Sequence, residues 1–219
     1  SYVPEKTSVE GFKTWDDATR QLVLDRLGET VEVVISALKD GKIVAYTDKI
    51  GFHENEFVPI LENFIELHPD FSFRNARGIV FLTGFDGVLG YRTDRNSKNR
   101  QKETKDAKKV VETLKKSGWI FGCHTYAHYH TLQKDEKFVE EDIKKWKNEV
   151  EPIVGKCDLF AYPYGEWAIG ENCSDERLKV LQNAGFCVFY GVGNQPFYSL
   201  MPTKGQGEKI LFQDRCAMD

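Results

Sequence analysis

His124 and His128 stand four residues apart in H-T-Y-A-H, directly after a short apolar run, and that spacing suits a shared divalent metal. If the segment is helical, positions i and i+4 fall on one face about 5 to 6 Å apart, and each imidazole nitrogen binds a metal at roughly 2.1 Å. The alternative for the same residues is an aromatic cluster with Tyr126, Tyr129 and His130. A metal on two histidines needs a third protein ligand and open positions for water and substrate. Asp86, in the F-D-G turn that follows the run GIVFLTG, is the candidate. Two imidazoles with a hard carboxylate suit zinc, and the same donors accept cobalt, nickel or iron.

Those residues need a frame to bring them together, and the chain from about residue 55 onward supplies one. Phe57, Ile60, Leu61, Phe64 and Ile65 recur at helical spacing and stop at His68-Pro69, and GIVFLTG (78–84) is a continuous apolar run of strand length. Ala107, Val110, Val111 and Leu114 make a second helical face closed by Gly118, before the strand WIFGC (119–123). Phe138, Val139, Ile143, Trp146 and Val150 mark a third helix, followed by LFAYP (159–163). Ser174 and Asp175 are candidate caps for a fourth helix, SDERLKVLQNAG, followed by the strands FCVFYGV (186–192) and KILFQ (209–213). Helix, glycine and buried strand in repetition predict an α/β architecture with a largely parallel sheet. In such sheets ligands gather beyond the carboxyl ends of the strands. The tips GFDGVLGYR, HTYAHYH, YPYGEW and GVGNQ are where His, Asp, Tyr and Gly concentrate.

The first part of the chain gives a different pattern. WDDATRQLVLDRLG and VEVVISALKDG each read as helical with a terminal glycine, and KIVAYTD reads as a strand. Residues 1–54 are therefore expected to form an N-terminal segment packed on the same domain as 55–219. Composition narrows the function. The 219 residues are 41% hydrophobic, enough for one sizeable core, and 34 acidic against 30 basic residues leave a net charge of −4. No global positive field exists to attract nucleic acid or anionic lipid, and no run of 18 apolar residues exists to insert in a membrane. Five cysteines (Cys123, Cys157, Cys173, Cys187, Cys216) are scattered with no C-x-x-C pair, which argues against a structural zinc knuckle. The opening residues SYVPEKTSVE carry neither an initiator Met nor a signal-peptide core, so the chain is expected to be a trimmed soluble portion. Residues 92–109 hold eight Lys or Arg and three Asp or Glu, the one marked charge cluster, readable as a solvated face or as a basic rim for an anionic glycan.

The order F-D-G, then H-T-Y-A-H, then F-A-Y-P-Y-G, each after a strand, resembles the polysaccharide deacetylases, the NodB-homology carbohydrate esterases of family four. The resemblance covers roughly residues 78–213 and implies a distorted (β/α) barrel. It further implies a metal-dependent hydrolase that removes N-acetyl groups from polysaccharide, of the peptidoglycan or N-acetylglucosamine type, at an extracellular or cell-envelope location. Carried over by position, it makes Asp86, His124 and His128 the metal ligands. Tyr164 contributes a backbone N–H to the oxyanion site, Pro163 shapes that wall, and Thr125 stands beside the metal.

Departures from the family pattern accompany the matches. Without a gap, T-G-F-D-G puts Phe85 where the family has its catalytic-base aspartate; with one residue deleted, Asp86 becomes the base and the third ligand is missing. Ala161 stands where the family often carries an arginine that orients the base, and Gln213 where a histidine acts as general acid. A glutamine carries no titrating proton at neutral pH. General acid–base help is worth about 10² to 10⁴ in rate, so its displacement leaves room for activity. Asp94, Glu166 and His130 are the candidate substitutes. Tyr91 and Arg92 are candidate substrate contacts, each with a structural turn as the alternative reading, and Trp167 is a candidate sugar platform or a core residue. A catalytically inactive glycan-binding or metal-binding module is the alternative function.

Overall fold

The computed structural model describes residues 33–47, 51–166, 175–193, 198–202 and 209–215. The expected helix over WDDATRQLVLDRLG, the cap at Ser174, Trp167, Cys173 and Cys216 lie outside them. Contacts divide the chain into two compact units, one ending at Val80 and resuming over Asp86–Ile120, the other made of Phe81–Phe85 and the chain from Phe121 onward.

The first unit opens with a three-stranded antiparallel sheet, β1 (Val33–Lys39), β2 (Lys42–Thr47) and β3 (Gly51–His53). The helix expected over VEVVISALKDG is therefore corrected to a strand. The reason is visible in the residues: Val33, Val34 and Ile35 are β-branched, and Asp40-Gly41 both take positive φ (52° and 81°), the two-residue hairpin turn that pairs Lys39 with Lys42. The D-G that reads as a helix stop is a hairpin tip. β2 matches the expected strand.

Helix α1 (Phe57–Leu67) buries Val58 and Ile65 and leaves Ile60 and Phe64 exposed, so its buried face is rotated from the expected one. Helix α2 (Arg100–Ser117) buries the four residues expected, Ala107, Val110, Val111 and Leu114. Gly118 ends it at φ 107°, with its N–H on the Lys115 carbonyl and that of Trp119 on the Leu114 carbonyl. Trp119 then packs edge-on against Phe57 and donates its indole N–H to Glu62 at 2.6 Å.

A six-stranded sheet runs in the order β4 (Ile79–Leu82), β5 (Ile120–Cys123), β6 (Leu159–Ala161), β7 (Val188–Val192), β9 (Lys209–Arg215) and β8 (Tyr198–Pro202). β5, β6, β7 and β9 pair in parallel and β8 closes the edge as an antiparallel hairpin with β9. The mixed α/β class with a parallel sheet and intervening helices is as the sequence predicts; β8 is an additional strand. Helix α3 (Glu136–Glu149) begins at Asp135, whose carboxylate accepts the Phe138 N–H at 2.8 Å. A short helix α4 (Glu151–Val154) follows, then α5 (Glu176–Asn183), whose cap Asp175 accepts the Arg177 N–H at 2.9 Å.

The second unit's core is aromatic. Phe160, Phe189 and Phe212, on three neighbouring strands, are fully buried, as is Trp146 of α3, which donates its indole N–H to the Leu82 carbonyl at 2.7 Å. Gly122 in β5 is covered by the Phe81 ring so closely that a Cβ there would overlap it. On α3 the buried face also carries two carboxylates, Asp142 and Glu149, at 4% and 7% exposure. Among the described residues no helix is long and apolar enough to cross a membrane.

Candidate metal centre

In the second unit the H-T-Y-A-H segment is an irregular loop after β5, not a helix. Thr125 and His128 take positive φ, 63° and 50°, and the Thr125 hydroxyl accepts the His128 N–H at 2.9 Å. Each such residue costs about 1 to 3 kcal/mol of backbone strain, which the surrounding structure must hold in place. The strain brings the two imidazoles together by another route than a helix face: the ring centroids of His124 and His128 lie 5.0 Å apart.

His124 is buried, and its Nδ1 lies 2.7 Å from the Ala161 carbonyl at the end of β6. A carbonyl only accepts, so Nδ1 carries the proton and Nε2 keeps a lone pair, the tautomer a metal ligand requires. Burial, then the neighbouring His128, pull the His124 pKa down to about 3, with the Arg215 guanidinium adding to the effect against the carbonyl bond. The ring is neutral through the physiological range. Arg215 itself is anchored by Nη2 on the Tyr162 carbonyl at 2.9 Å and Nε on the Gly191 carbonyl at 3.2 Å.

Tyr164 follows β6 in the turn Pro163–Gly165 at φ 57°, with its ring half exposed between two histidines. The His128 ring is 4.8 Å away, and the His130 ring stacks on it at 3.8 Å and 11°. His130 Nδ1 is 3.0 Å from Glu166 Oε1, and Glu166 Oε2 accepts the Leu132 N–H at 3.1 Å. The second unit thus gathers His124, His128, Tyr164, His130 and Glu166. Gln213 is exposed on β9, paired with Tyr190 of β7.

A set of residues not singled out by the sequence holds this loop. Asp142 of α3 accepts the N–H groups of Tyr126 and Ala127 at 2.7 and 3.1 Å. Burial pushes its carboxyl pKa up to about 6 against the pull of those two amides. Glu149 accepts the Tyr126 hydroxyl at 2.8 Å. The Tyr126 carbonyl takes the N–H groups of Gly84 and Phe85 at 3.0 and 3.2 Å, and its ring lies against Gly84. A Cβ at Gly84 would come within 2.6 Å of that ring and 2.8 Å of Val150. Gly84→Ala is expected to cost about 1 to 3 kcal/mol by overpacking, read as a lower urea midpoint.

In the first unit a single guanidinium engages both carboxylates of the G-F-D-G-V-L-G-Y-R-T-D stretch. Arg92 Nη1 donates to Asp86 at 3.2 Å and Nε to Asp94 at 3.1 Å. Asp94 is 3% exposed and also accepts the Asn96 N–H at 3.1 Å. Gly87, at φ 99°, turns the chain so tightly that a Cβ would overlap the Tyr91 carbonyl. Desolvation pushes the Tyr91 hydroxyl pKa up to about 12, so the group stays protonated.

The fit to a divalent metal can be stated from these donors. Two imidazoles 5.0 Å apart, that of His124 neutral and with its lone pair fixed by a carbonyl, fit such an ion. A third donor is not gathered with them: among the described residues no cluster of three His, Cys, Asp or Glu is placed to hold one.

The polysaccharide deacetylase family model matches residues 88–188, which include both histidines and Tyr164. No curated protein matches the sequence. Solved structures similar to the chain include a putative polysaccharide deacetylase from Mycobacterium smegmatis, at 13% identity over 74% of this chain and 45% of that one, with a TM-score of 0.45. A Streptococcus pyogenes deacetylase in complex with acetate is 16% identical over 68% of this chain and 56% of its own, with a TM-score of 0.42. The chitin deacetylase of Colletotrichum lindemuthianum is 14% identical over 60% and 48%, with a TM-score of 0.39. The chain thus spans about half the length of these proteins.

Proposed function

Residues 88–188 belong to the polysaccharide deacetylase family, and from that premise we propose that the chain is a metal-dependent hydrolase removing acetyl groups from N-acetylated polysaccharide. The observation that carries this reading is the His124–His128 pair, 5.0 Å between ring centres, with the His124 tautomer set by the Ala161 carbonyl. A divalent ion, zinc foremost with cobalt, nickel or iron compatible, would supply Lewis-acid polarisation and charge stabilisation at the acetyl carbonyl.

The chain's own residues divide the remaining work. His124 and His128 would hold the ion, and Asp86 would be the third ligand that the sequence suggests. The Tyr164 backbone, set at φ 57° between Pro163 and Gly165, presents an N–H for the developing oxyanion. Asp94 is the candidate proton acceptor, positioned by Arg92 and the Asn96 amide. Substrates are peptidoglycan or N-acetylglucosamine-type glycans, and an extracellular or cell-envelope location goes with them, open to test by cell fractionation.

The test is acetate release. Metal-reconstituted protein should free acetate and a primary amine from N-acetylglucosamine oligomers, lose this activity to a chelator and regain it with zinc. No release from any N-acetylated oligomer in a preparation that has taken up metal would sink the reading.

A second reading, a silent relative that binds glycan without cleaving it, is favoured by one observation: Arg92 ties up both Asp86 and Asp94. Calorimetric binding of the same oligomers with no acetate released supports it, and turnover that disappears in a His124 variant removes it.

A further inference from the structure

From His124 to His130 the chain forms no helix or strand, and it passes twice through positive φ. Such a stretch keeps one shape only if its polar groups are tied down. The ties come from α3. Asp142 takes two successive amides, those of Tyr126 and Ala127, one on each carboxylate oxygen. Those two residues lie between the histidines in sequence, so whatever fixes their peptide groups fixes the path from one imidazole to the other. Glu149, on the same buried face of α3, takes the Tyr126 hydroxyl, and the Tyr126 carbonyl takes the amides of Gly84 and Phe85.

Neither carboxylate is placed where packing alone would put one. Both sit among Val139, Ile143 and Trp146 on an apolar stripe, where an uncompensated acid is disfavoured. Their compensation is the loop itself. We propose that Asp142, acting through the Tyr126 and Ala127 amides, is the positioning residue that sets the separation and orientation of the His124 and His128 rings, with Glu149 steadying Tyr126 from the other end. This rests on the reading above only in taking a divalent metal as the ligand of the pair.

Asp142→Asn separates positioning from mere stability, because it keeps the size and one accepting oxygen but turns an NH₂ toward the second amide, donor against donor. Two sets of measurements on the full chain decide the matter. Without metal, NMR gives the exchange rate of the Tyr126, Ala127 and His128 amides and the ring nitrogen shifts of both histidines. With metal, calorimetry gives zinc affinity and absorption gives the cobalt ligand-field spectrum.

The expected result for folded Asp142→Asn is faster exchange at all three amides, displaced ring shifts, zinc affinity lower by about 10- to 100-fold and an altered cobalt spectrum. Tyr126→Phe, which removes only the Glu149 tie, is expected to lose less. Wild-type affinity and cobalt spectrum in folded Asp142→Asn would overturn the proposal, as would unchanged His128 exchange and ring shifts. If Asp142→Asn does not fold, Asp142→Glu, which keeps both acceptors but displaces them by a methylene, is read by the same measurements against the same outcomes. If wild-type protein takes up no metal, the deacetylase reading fails on its own, and the metal-free spectra still decide the positioning role.

Discussion

Replacing His124 by asparagine is expected to weaken divalent-metal binding by at least about 100-fold and to remove acetate release with it. Loss of a residue that merely supports a metal ligand already costs 10- to 100-fold, so loss of a ligand sets that as a floor. Asparagine carries its amide at the δ position of the histidine Nδ1, so its NH₂ can keep the buried hydrogen bond to the Ala161 carbonyl at the end of β6 and the change falls on the Nε2 lone pair. A companion His124→Ala would lose both and leave the carbonyl unpartnered by this side chain. Zinc titration of the two variants, with thermal unfolding as the check on folding, separates these effects. An asparagine variant that binds zinc like wild type would show that the ring belongs to an aromatic cluster, the alternative reading of the sequence.

The second large effect is on stability against pH. Burial raises the Asp142 pKa from 3.8 to about 6, so the native chain holds this proton over a range in which the unfolded chain has lost it. Stability from this group is fully present below the unfolded value and declines as pH rises through about 6. The shift of about two units corresponds to about 3 kcal/mol across the window. The groups facing the carboxyl are the Tyr126 and Ala127 amides, the Tyr129 hydroxyl, Lys145 and the buried Cys123 thiol. Burial and the adjacent acid keep Tyr129 protonated, and burial keeps Cys123 so, which leaves Asp142 as the titrating member of the cluster. Urea unfolding of wild type and Asp142→Asn at pH 4.5, 5.5, 6.5 and 7.5 isolates the term as their difference. The variant should be most costly at pH 4.5 and progressively less so up to pH 7.5. A difference flat in pH would show that Asp142 does not titrate in this range.

The parts of the fold written in local pattern are legible in the sequence. Ala107, Val110, Val111 and Leu114 repeat at helical spacing and Gly118 supplies the left-handed stop, so α2 and the strand after it follow from residue types alone. Two kinds of error arise where pattern is ambiguous. Residues 33–41 place their apolar residues in two short runs, 33–35 and 37–38, that a short helix also accommodates, and the β-branched residues together with Asp40-Gly41 decide for a hairpin. Asp142 and Glu149 read as ordinary solvated acids. The signal that marks them as buried is their place on the helix, at the same spacing as Val139, Ile143 and Trp146. What they bind, the amides of an irregular loop, is created by the tertiary fold and has no counterpart in sequence. Likewise, the approach of His124 to His128 comes from strained loop backbone rather than from the shared helix face that a helical segment would have given.

The Phe81 ring lying on Gly122 also bears on how this chain can change over time. Any side chain gained at position 122 meets the ring, and a smaller residue gained first at position 81 opens a void over the bare glycine backbone. The two positions are therefore a single heritable unit: the passable route begins with the ring shrinking, at the cost of a cavity, and only then does the glycine become free to vary. Gly84 under Tyr126 repeats the arrangement at the neighbouring strand tip, with the added constraint that Tyr126 is already committed to Glu149. Sequence drift at this end of the sheet is expected to be slow for a geometric reason, independent of whatever chemistry the loops perform.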